Sequence, residues 1–499
     1  MARLSVCCDG TWQDVAQDSN VSRLHAAIVP APGDPEPRYV PGVGVSPDLL
    51  DRLRSGLTGA GLDRAITDGY RWLVQHFRPG DRIAVFGFSR GAYTARSLAG
   101  MIGRVGLIDG TGLTPAGADD AVHRAYERYR ALRRTPVDPA WDDGLRFAYR
   151  AGDADIPVDL VGVWDTVGAL GIPAYVGVPD VGHSRERYEF LDVVLNPHIA
   201  HGRHAVSIDE MRGPFRPTLW RDFAEGQDVV QVWFPGDHSD VGGGYARTGL
   251  SDVALDWMMR EATAAIGLQF DRSRIEGFAP DPSARLHGPP GGPVGAVVEA
   301  ATQPRPRSFP RIDPAAPDPD VAGSAYDRQR TEGYRPTRTL AGPGDTATVS
   351  VPADQAWTTT GLYLEPGTYR FAAAGRWRSA GGSCGPEGDT SGVHRPGSIS
   401  SSVVDVLQNG LRRLLNNPEA GVLGARREPA QPWMSLVALV ANEQTDKAGT
   451  VTSPDEKVFV GTGTTQEAHR PGYLYAYPDD AFGFYGNNHG EVELTVTRV

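Results

Sequence analysis

The sequence predicts an α/β domain built on a mostly parallel sheet with helices on both faces, followed by an all-β sandwich of jelly-roll type. Three observations carry this expectation. Residues 83–86 are a short apolar run of β-formers, the stretch Gly87-Phe88-Ser89-Arg90-Gly91 breaks it, and residues 92–101 resume with small residues at helical spacing. Further strand-length apolar runs alternate with amphipathic helical patterns up to residue 268, the rhythm of parallel strand-helix-strand units. From Thr346 onward the rhythm changes to short alternating runs separated by turn residues, the pattern of a sandwich.

Taken in order, residues 3–8 read as the first strand, and Asp9-Gly10-Thr11-Trp12 as the loop leaving its C-terminal end, where open α/β sheets carry functional loops. Residues 38–45 give a second short strand. Leu62, Ala65, Ile66, Tyr70, Leu73, Val74 and Phe77 then follow helical spacing until Pro79-Gly80 ends the helix. This helix delivers the chain to the strand before Ser89.

A serine at a strand-to-helix turn is held in a strained backbone conformation that lifts its hydroxyl above the sheet. Glycines two residues before and after let strand and helix pass closely. The N–H of Arg90, at the helix start, is placed for a developing oxyanion, with Gly10 or Thr11 as the second donor. Asp9 alternatively does no more than cap a turn there. With 61 glycines in the chain, the five-residue pattern is expected about half a time by chance, and a second match does occur. Gly381-Gly382-Ser383-Cys384-Gly385 is followed by Pro386 and no helix, so Ser89 is the candidate nucleophile.

Residues 118–132 form an Arg-rich surface helix with Val122, Ala125, Tyr126 and Tyr129 on one face. Residues 156–163 are another buried strand, ending in Trp164-Asp165-Thr166. A carboxylate at such a tip, after the serine in chain order, is where a hydrolase sheet sets the group that orients its histidine. The plainer alternative is an N-cap for a following helix. Residues 171–225 have weak periodicity and read as a lid-like insertion over the sheet. His204, inside it, reads as a structural histidine in a helix rather than a second base.

Residues 229–234 are a last core strand and run into Pro235-Gly236-Asp237-His238-Ser239-Asp240. His238 comes third in the order serine, aspartate, histidine and is the candidate general base. Asp240 is expected to fix the loop, competing with Asp165 for the imidazole. An amphipathic helix over 254–268 precedes a Pro-dense strap at 280–320.

Composition bounds the rest. A chain of 499 residues has room for two or three domains, and 40% hydrophobic with 22% charged residues is ordinary for a globular protein. A net charge of −12 argues against a phosphate-backbone partner, so no nucleic acid is expected. Cys7 and Cys8 are adjacent and Cys384 is remote, which gives neither a disulfide framework nor a C-x-x-C metal pattern and fits a reducing compartment. No leader-like start and no run of about 18 apolar residues is present. The expectation is a cytoplasmic protein without a transmembrane segment, export by a dedicated secretion machine being left open.

The motifs CCDGTW, FGFSRGAYTARSLAG, VGVWDTVGALG, RHAVSIDEMR and WFPGDHSDVGGGY, with the residue 62–80 helix and Tyr334-Arg335-Pro336, recur in that order. Together they resemble the α/β-hydrolase domain shared with type VI secretion phospholipase effectors of the first class, over residues 2–340. The resemblance implies a Ser-Asp-His triad of Ser89, Asp165 and His238 and esterase activity on phospholipid acyl chains.

In the tail, strands are expected at residues 347–351, 361–364, 368–374, 434–440, 457–460, 472–477 and 491–496. The loop YPDDAFGFYGNNHG at 477–490 gathers two carboxylates and two amides, hard oxygen ligands of the kind calcium takes. Alternatively these residues only build turns in a metal-free sandwich. With Ala373-Ala374-Gly375, Trp377 and Gly385-Pro386-Glu387-Gly388-Asp389, the tail is similar to PA-IL-like galactose-binding bacterial lectins. That resemblance implies calcium held by side chains of Asp480, Asn487 and Asn488 and the carbonyl of Phe484, a further carbonyl near Ala380, and His394 at the sugar.

The expected protein is a serine esterase with its catalytic domain at 1–345 and a calcium-dependent glycan-, glycolipid- or partner-binding module at 346–499. Catalysis itself needs no cofactor. Two other functions fit the same residues: an esterase for small carboxylic esters, and a calcium-dependent carbohydrate-binding protein with an idle hydrolase core.

Overall fold

The computed structural model describes residues 2–10, 18–42, 60–132, 140–153, 155–167, 194–221, 223–288, 292–379, 382–389, 427–446 and 451–499. The N-terminal part carries β1 (Arg3–Cys8), β2 (Arg38–Val40), β3 (Arg82–Phe88), β4 (Leu107–Ile108), β5 (Phe147–Tyr149), β6 (Val158–Trp164), β7 (His201–Ser207) and β8 (Asp228–Phe234). Six of these form one sheet in the order β2-β1-β3-β6-β7-β8, every neighbouring pair parallel, while β4 and β5 pair antiparallel apart from it.

Strand alternation divides the core into two. Leu4, Val6, Ile83 and Val85 point to one face, under α2 (Ala60–His76), α3 (Arg90–Val105) and α4 (Pro115–Ala131). Cys7, Ala84, Phe86 and Phe88 point to the other, under α1 (Asn20–Ala27) and α6 (Gly249–Ile266). Coverage of both faces is why these strands are near-continuously apolar in sequence. Between β8 and α6 a five-residue helix, α5 (His238–Gly242), is fixed by a capping box of Asp237 and Asp240.

The sequence expectation fails at β7. Within the span expected to be a lid-like insertion, residues 201–207 are a strand between β6 and β8, and His204 is on that strand rather than in a helix. The run HGRHAVS hid this, because its polar side chains are satisfied inside the fold. Arg203 reaches Glu261 and Asp228, and His204 accepts the Thr166 N–H at 3.1 Å. Residues 171–193 and 222 of the expected lid lie outside the described residues.

The strap also departs from expectation, because it contains a helix, α7 (Gly292–Thr302), and a second helix, α8 (Gly323–Glu332), follows it. Between them residues 320–322 cover the edge of β8, with the Trp233 N–H donating to Asp320 O at 2.8 Å and the Ala322 N–H to Trp233 O at 2.9 Å.

The C-terminal part carries β9 (Arg338–Thr339), β10 (Thr346–Pro352), β11 (Thr358–Leu364), β12 (Gly367–Ser379), β13 (Gly382–Cys384), β14 (Leu436–Ala441), β15 (Gln444–Thr445), β16 (Val451–Ser453), β17 (Glu456–Phe459), β18 (Gly463–Ala468), β19 (Gly472–Pro478) and β20 (His489–Arg498). One sheet runs β10-β20-β12-β13 with β18 also on β12; the other runs β17-β14-β19-β11-β9, and β15 pairs with β16. Phe371, Trp377, Leu436, Ala438, Leu474 and Leu494 fill the space between the sheets. The second sheet takes in β9, so it begins before the expected boundary at residue 346. Its outer face, with Val437, Leu439, Tyr473 and Tyr475, packs on Val206, Trp233, Phe309 and Ile312 in one continuous core. Among the described residues no helix is long and apolar enough to cross a membrane.

Candidate active site

Ser89 stands between β3 and α3 with φ 57 and ψ −122, a region that a residue with a side chain occupies only under constraint. Two glycines create the constraint. A Cβ on Gly87 would lie 2.3 Å from Gly91 O, and one on Gly91 would lie 2.2 Å from Cys8 O and 2.4 Å from Asp9 O. Strand, helix and the loop after β1 therefore meet at van der Waals limits around the serine. Its N–H continues the ladder to Trp164 O at 3.1 Å, and its hydroxyl makes no helix-capping bond.

Asp165 follows β6 and is wholly buried. Its Oδ2 lies 2.5 Å from Nδ1 of His238. Oδ1 accepts the Ser207 N–H at 3.0 Å, and Arg307 grips both oxygens, Nη1 to Oδ1 at 2.7 Å and Nη2 to Oδ2 at 3.0 Å. Burial pushes the carboxyl up, but Arg307 and His238 outweigh it and hold Asp165 well below the ordinary carboxylate range. The alternative of a plain N-cap does not describe this residue.

His238 is the first residue of α5, and its ring lies 4.6 Å from that of Phe88 and 4.8 Å, edge-on, from that of Phe215. A Cβ on Gly242 would fall 1.9 Å from the Phe88 ring, so α5 rests directly on the residue before Ser89. With Nδ1 committed to Asp165, Nε2 is the ring nitrogen left for proton exchange.

The structure brings Asp165 against His238 and Gly10 against Ser89, with the ring of Phe88, the residue before Ser89, beside that of His238, and it sorts the supporting residues. Gly10 approaches closely, a Cβ on it falling 3.4 Å from that of Ser89. Its N–H, however, donates to Asp9 Oδ1 at 2.6 Å, which corrects its expected role as an oxyanion donor. Thr11 lies outside the described residues. Arg90 opens α3, so its N–H belongs to the first helical turn, which has no intrahelical acceptor. Asp9 is a buried hub that also accepts from Ser19 Oγ at 2.7 Å and Tyr39 OH at 2.5 Å, and burial raises its carboxyl against those bonds. Asp240 does not orient the imidazole: it accepts from Asp237 N at 3.1 Å and meets His287 Nδ1 at 2.6 Å. His204, pushed down to about 3 by burial, is neutral and structural.

Sequence reasoning missed Arg307, Phe215 and Glu210. Glu210 is buried, pairs with Arg212 and accepts the His238 N–H at 3.4 Å. Arg307 sits in an aperiodic Pro-rich run 142 residues from its partner, so no spacing pointed to it.

In the C-terminal loop Asp480 and Asn488 are brought together, Asn488 Nδ2 donating to Asp480 Oδ2 at 2.8 Å. Asn488 Oδ1 is buried with no partner, an orphaned oxygen that a hard cation would satisfy. Phe484 is buried at the start of the Tyr485–Asn487 turn, and Asn487 is exposed. Ala380 and His394 lie outside the described residues. Among the described residues no three His, Cys, Asp or Glu side chains gather as a metal site, so calcium would rest largely on amide and carbonyl oxygens. The donor set fits such an ion.

A parallel sheet with a strained serine on its strand-to-helix turn defines a protein of the α/β-hydrolase type. The chain belongs to the family described as T6SS, phospholipase effector Tle1-like, catalytic domain, whose model matches residues 2–261. It is also similar to the uncharacterized protein YEL023C of Saccharomyces cerevisiae, 30% identical over 419 residues, 55% of this chain and 58% of that one. The chain thus spans little more than half the length of that relative. Among solved structures, an uncharacterized protein from Pseudomonas aeruginosa is 21% identical over 60% of this chain and 50% of its own, with a TM-score of 0.31. The Tle1 effector bound to the VgrG spike of the type 6 secretion system is 18% identical over 50% and 51%, with a TM-score of 0.27. The N-terminal domain of EclA, a PllA-like lectin, is 19% identical over 30% of this chain and 95% of its own, with a TM-score of 0.18.

Proposed function

We propose that the protein is a serine esterase of phospholipase A type that cleaves acyl chains from phospholipids. The observation that carries this reading is the Asp165–His238 pair, seated through Phe88 beside a serine with φ 57. Family membership supports the substrate class.

In the mechanism, His238 Nε2 takes the Ser89 proton as the hydroxyl oxygen attacks the ester carbonyl. Asp165 holds Nδ1–H and stabilises the imidazolium. The N–H of Arg90 receives the oxyanion, with Thr11 the remaining candidate for a second donor. Collapse expels the lysolipid alcohol with the proton from His238, and water, deprotonated by the same nitrogen, then releases the fatty acid from Ser89. The effector description of the family supports delivery by a secretion machine.

The sandwich, whose boundary we place at residue 346 apart from β9, would serve as a binding module for glycan, glycolipid or a protein. Asp480, Asn487, Asn488 and the Phe484 carbonyl would hold calcium, which would fix the 479–488 loop and take no part in ester cleavage.

The test is acyl release from mixed phospholipid vesicles by wild type and Ser89→Ala, with and without calcium. Release by wild type alone supports a phospholipase. No release by either, with hydrolysis of short carboxylic esters by wild type, would move the substrate to small esters, and no hydrolysis of any ester would overturn the enzyme reading.

A further inference from the structure

We infer that Arg307 is a positioning residue for Asp165, the carboxylate that orients His238, and that the β sandwich keeps the hydrolase site competent by clamping the strap that carries Arg307. The inference rests on the Ser89, His238, Asp165 reading above.

The strap between α7 and α8 is fastened to the sandwich on both sides of Arg307. Before it, Trp357 Nε1 donates to Pro304 O at 2.7 Å, and Arg305 Nε donates to Asp455 Oδ2 at 2.9 Å. After it, Ser308 Oγ accepts the Glu443 N–H at 2.8 Å, Phe309 stacks on Tyr473 at 4.7 Å, and the Ile312 N–H donates to Tyr473 OH at 2.8 Å. Asp455 is itself held by the N–H groups of Asn442 at 2.9 Å and Glu443 at 2.7 Å. Strap residues 304–312 are thus tied to the sandwich on both sides of Arg307, and Arg311 adds an ion pair to Glu365 at 3.3 Å.

At the centre of this clamp Arg307 turns the other way, into the α/β core. Its guanidinium reaches both oxygens of Asp165 and the carbonyls of Ser207 at 2.7 Å and Phe215 at 2.5 Å. A guanidinium is a rigid planar fork, so four acceptors fix its plane, and its plane fixes the carboxylate. The oxygen it shares, Oδ2, is the one that holds His238. The Phe215 carbonyl it anchors belongs to the residue whose ring packs on His238. One side chain therefore sets both the acid and a wall of the imidazole pocket. Charged and titratable groups facing Asp165 are Arg307 from the strap and His238 from α5, with neutral His204 of β7 behind and the Glu210–Arg212 pair beyond His238. Without Arg307 the buried carboxylate loses its counter-charge and takes up a proton more readily, and a protonated Asp165 no longer enforces the Nδ1–H tautomer.

The test uses the full chain and 4-nitrophenyl butyrate, measuring kcat and KM against pH together with thermal unfolding. In Arg307→Met, kcat should fall about tenfold to a hundredfold with KM little changed, and the acid limb of the pH profile should move to higher pH. Arg307→Lys, which keeps a charge without the fork, should restore the limb more than the rate. Asp455→Asn and Trp357→Phe, which leave every contact of Asp165 in place, should move both readouts in the same direction by less. A folded Arg307→Met with the wild-type rate and acid limb, beside an inactive Ser89→Ala, overturns the positioning role. Wild-type behaviour of both strap variants overturns the clamp, and it decides the matter if Arg307→Met does not fold. Activity surviving in Ser89→Ala would instead remove the triad reading.

Discussion

The carboxylate of Asp165 holds the imidazole of His238 at 2.5 Å from a wholly buried position, although 73 residues separate them. A charge so placed survives only because Arg307 and the Ser207 N–H share it. Asp165→Asn should therefore lower kcat by about four orders of magnitude, the cost of losing the correct tautomer, and destabilise the fold by about 3 kcal/mol through the stranded guanidinium. Ester hydrolysis and denaturant unfolding check the two effects, and the double variant with Arg307→Met should regain stability but not activity.

Acid should act on stability through the same residue. Asp165 and Glu210 both titrate below their ordinary range in the fold: burial opposes this in each, and it is overcome by Arg307 and His238 in one and by Arg212 in the other. A carboxyl depressed by folding contributes stability that is fully present above its unfolded pKa of about 4 and is lost as pH falls below that. Unfolding free energy measured from pH 7 downward should drop in that window for wild type and drop less for Asp165→Asn.

The strain at Ser89 predicts a trade of function for stability. Glycine accepts a φ of 57 without penalty. Ser89→Gly should raise the unfolding free energy by about 1 kcal/mol while abolishing fluorophosphonate labelling and ester turnover. A loss of stability in this variant would show that the serine side chain contributes packing that offsets its backbone strain.

Gly242 tests the seat of the histidine. A Cβ there meets the Phe88 ring at 1.9 Å, so Gly242→Ala must move α5 or the ring. Displacing His238 by a fraction of an ångström should lower kcat by up to about a hundredfold, with a smaller proportional change in KM.

Calcium should stabilise the chelated full chain through Asp480 and the orphaned Asn488 Oδ1. At a free concentration about a hundredfold above Kd the gain is about 2.7 kcal/mol, visible by calorimetry in wild type and absent in Asp480→Ala. No shift in calcium-free wild type would return the loop to a turn built by its own hydrogen bonds.

Where local pattern and tertiary role agree, the sequence was legible. β1 and β3 and the helices before and after Ser89 are apolar at the period of their own structure, because each is buried in the way its period implies. β7 was not legible, since Arg203 and His204 are satisfied by groups that only the fold brings near. Gly10 shows the same limit at the site: the sequence placed it beside Ser89, but the direction of its N–H depended on the Asp9 side chain.

By itself the sequence determined the α/β class, the sandwich that follows it and the chain order of Ser89, Asp165 and His238, because strand tips, turn glycines and periodicity are local properties. Tertiary structure alone decided that Asp165 rather than Asp240 meets His238, and that Arg307 holds both oxygens of that acid. It also decided that the sandwich grips the strap on either side of Arg307. Those are contacts between residues far apart in the chain, fixed by the packing of two cores against each other, and no local pattern encodes which distant partner a buried charge will find.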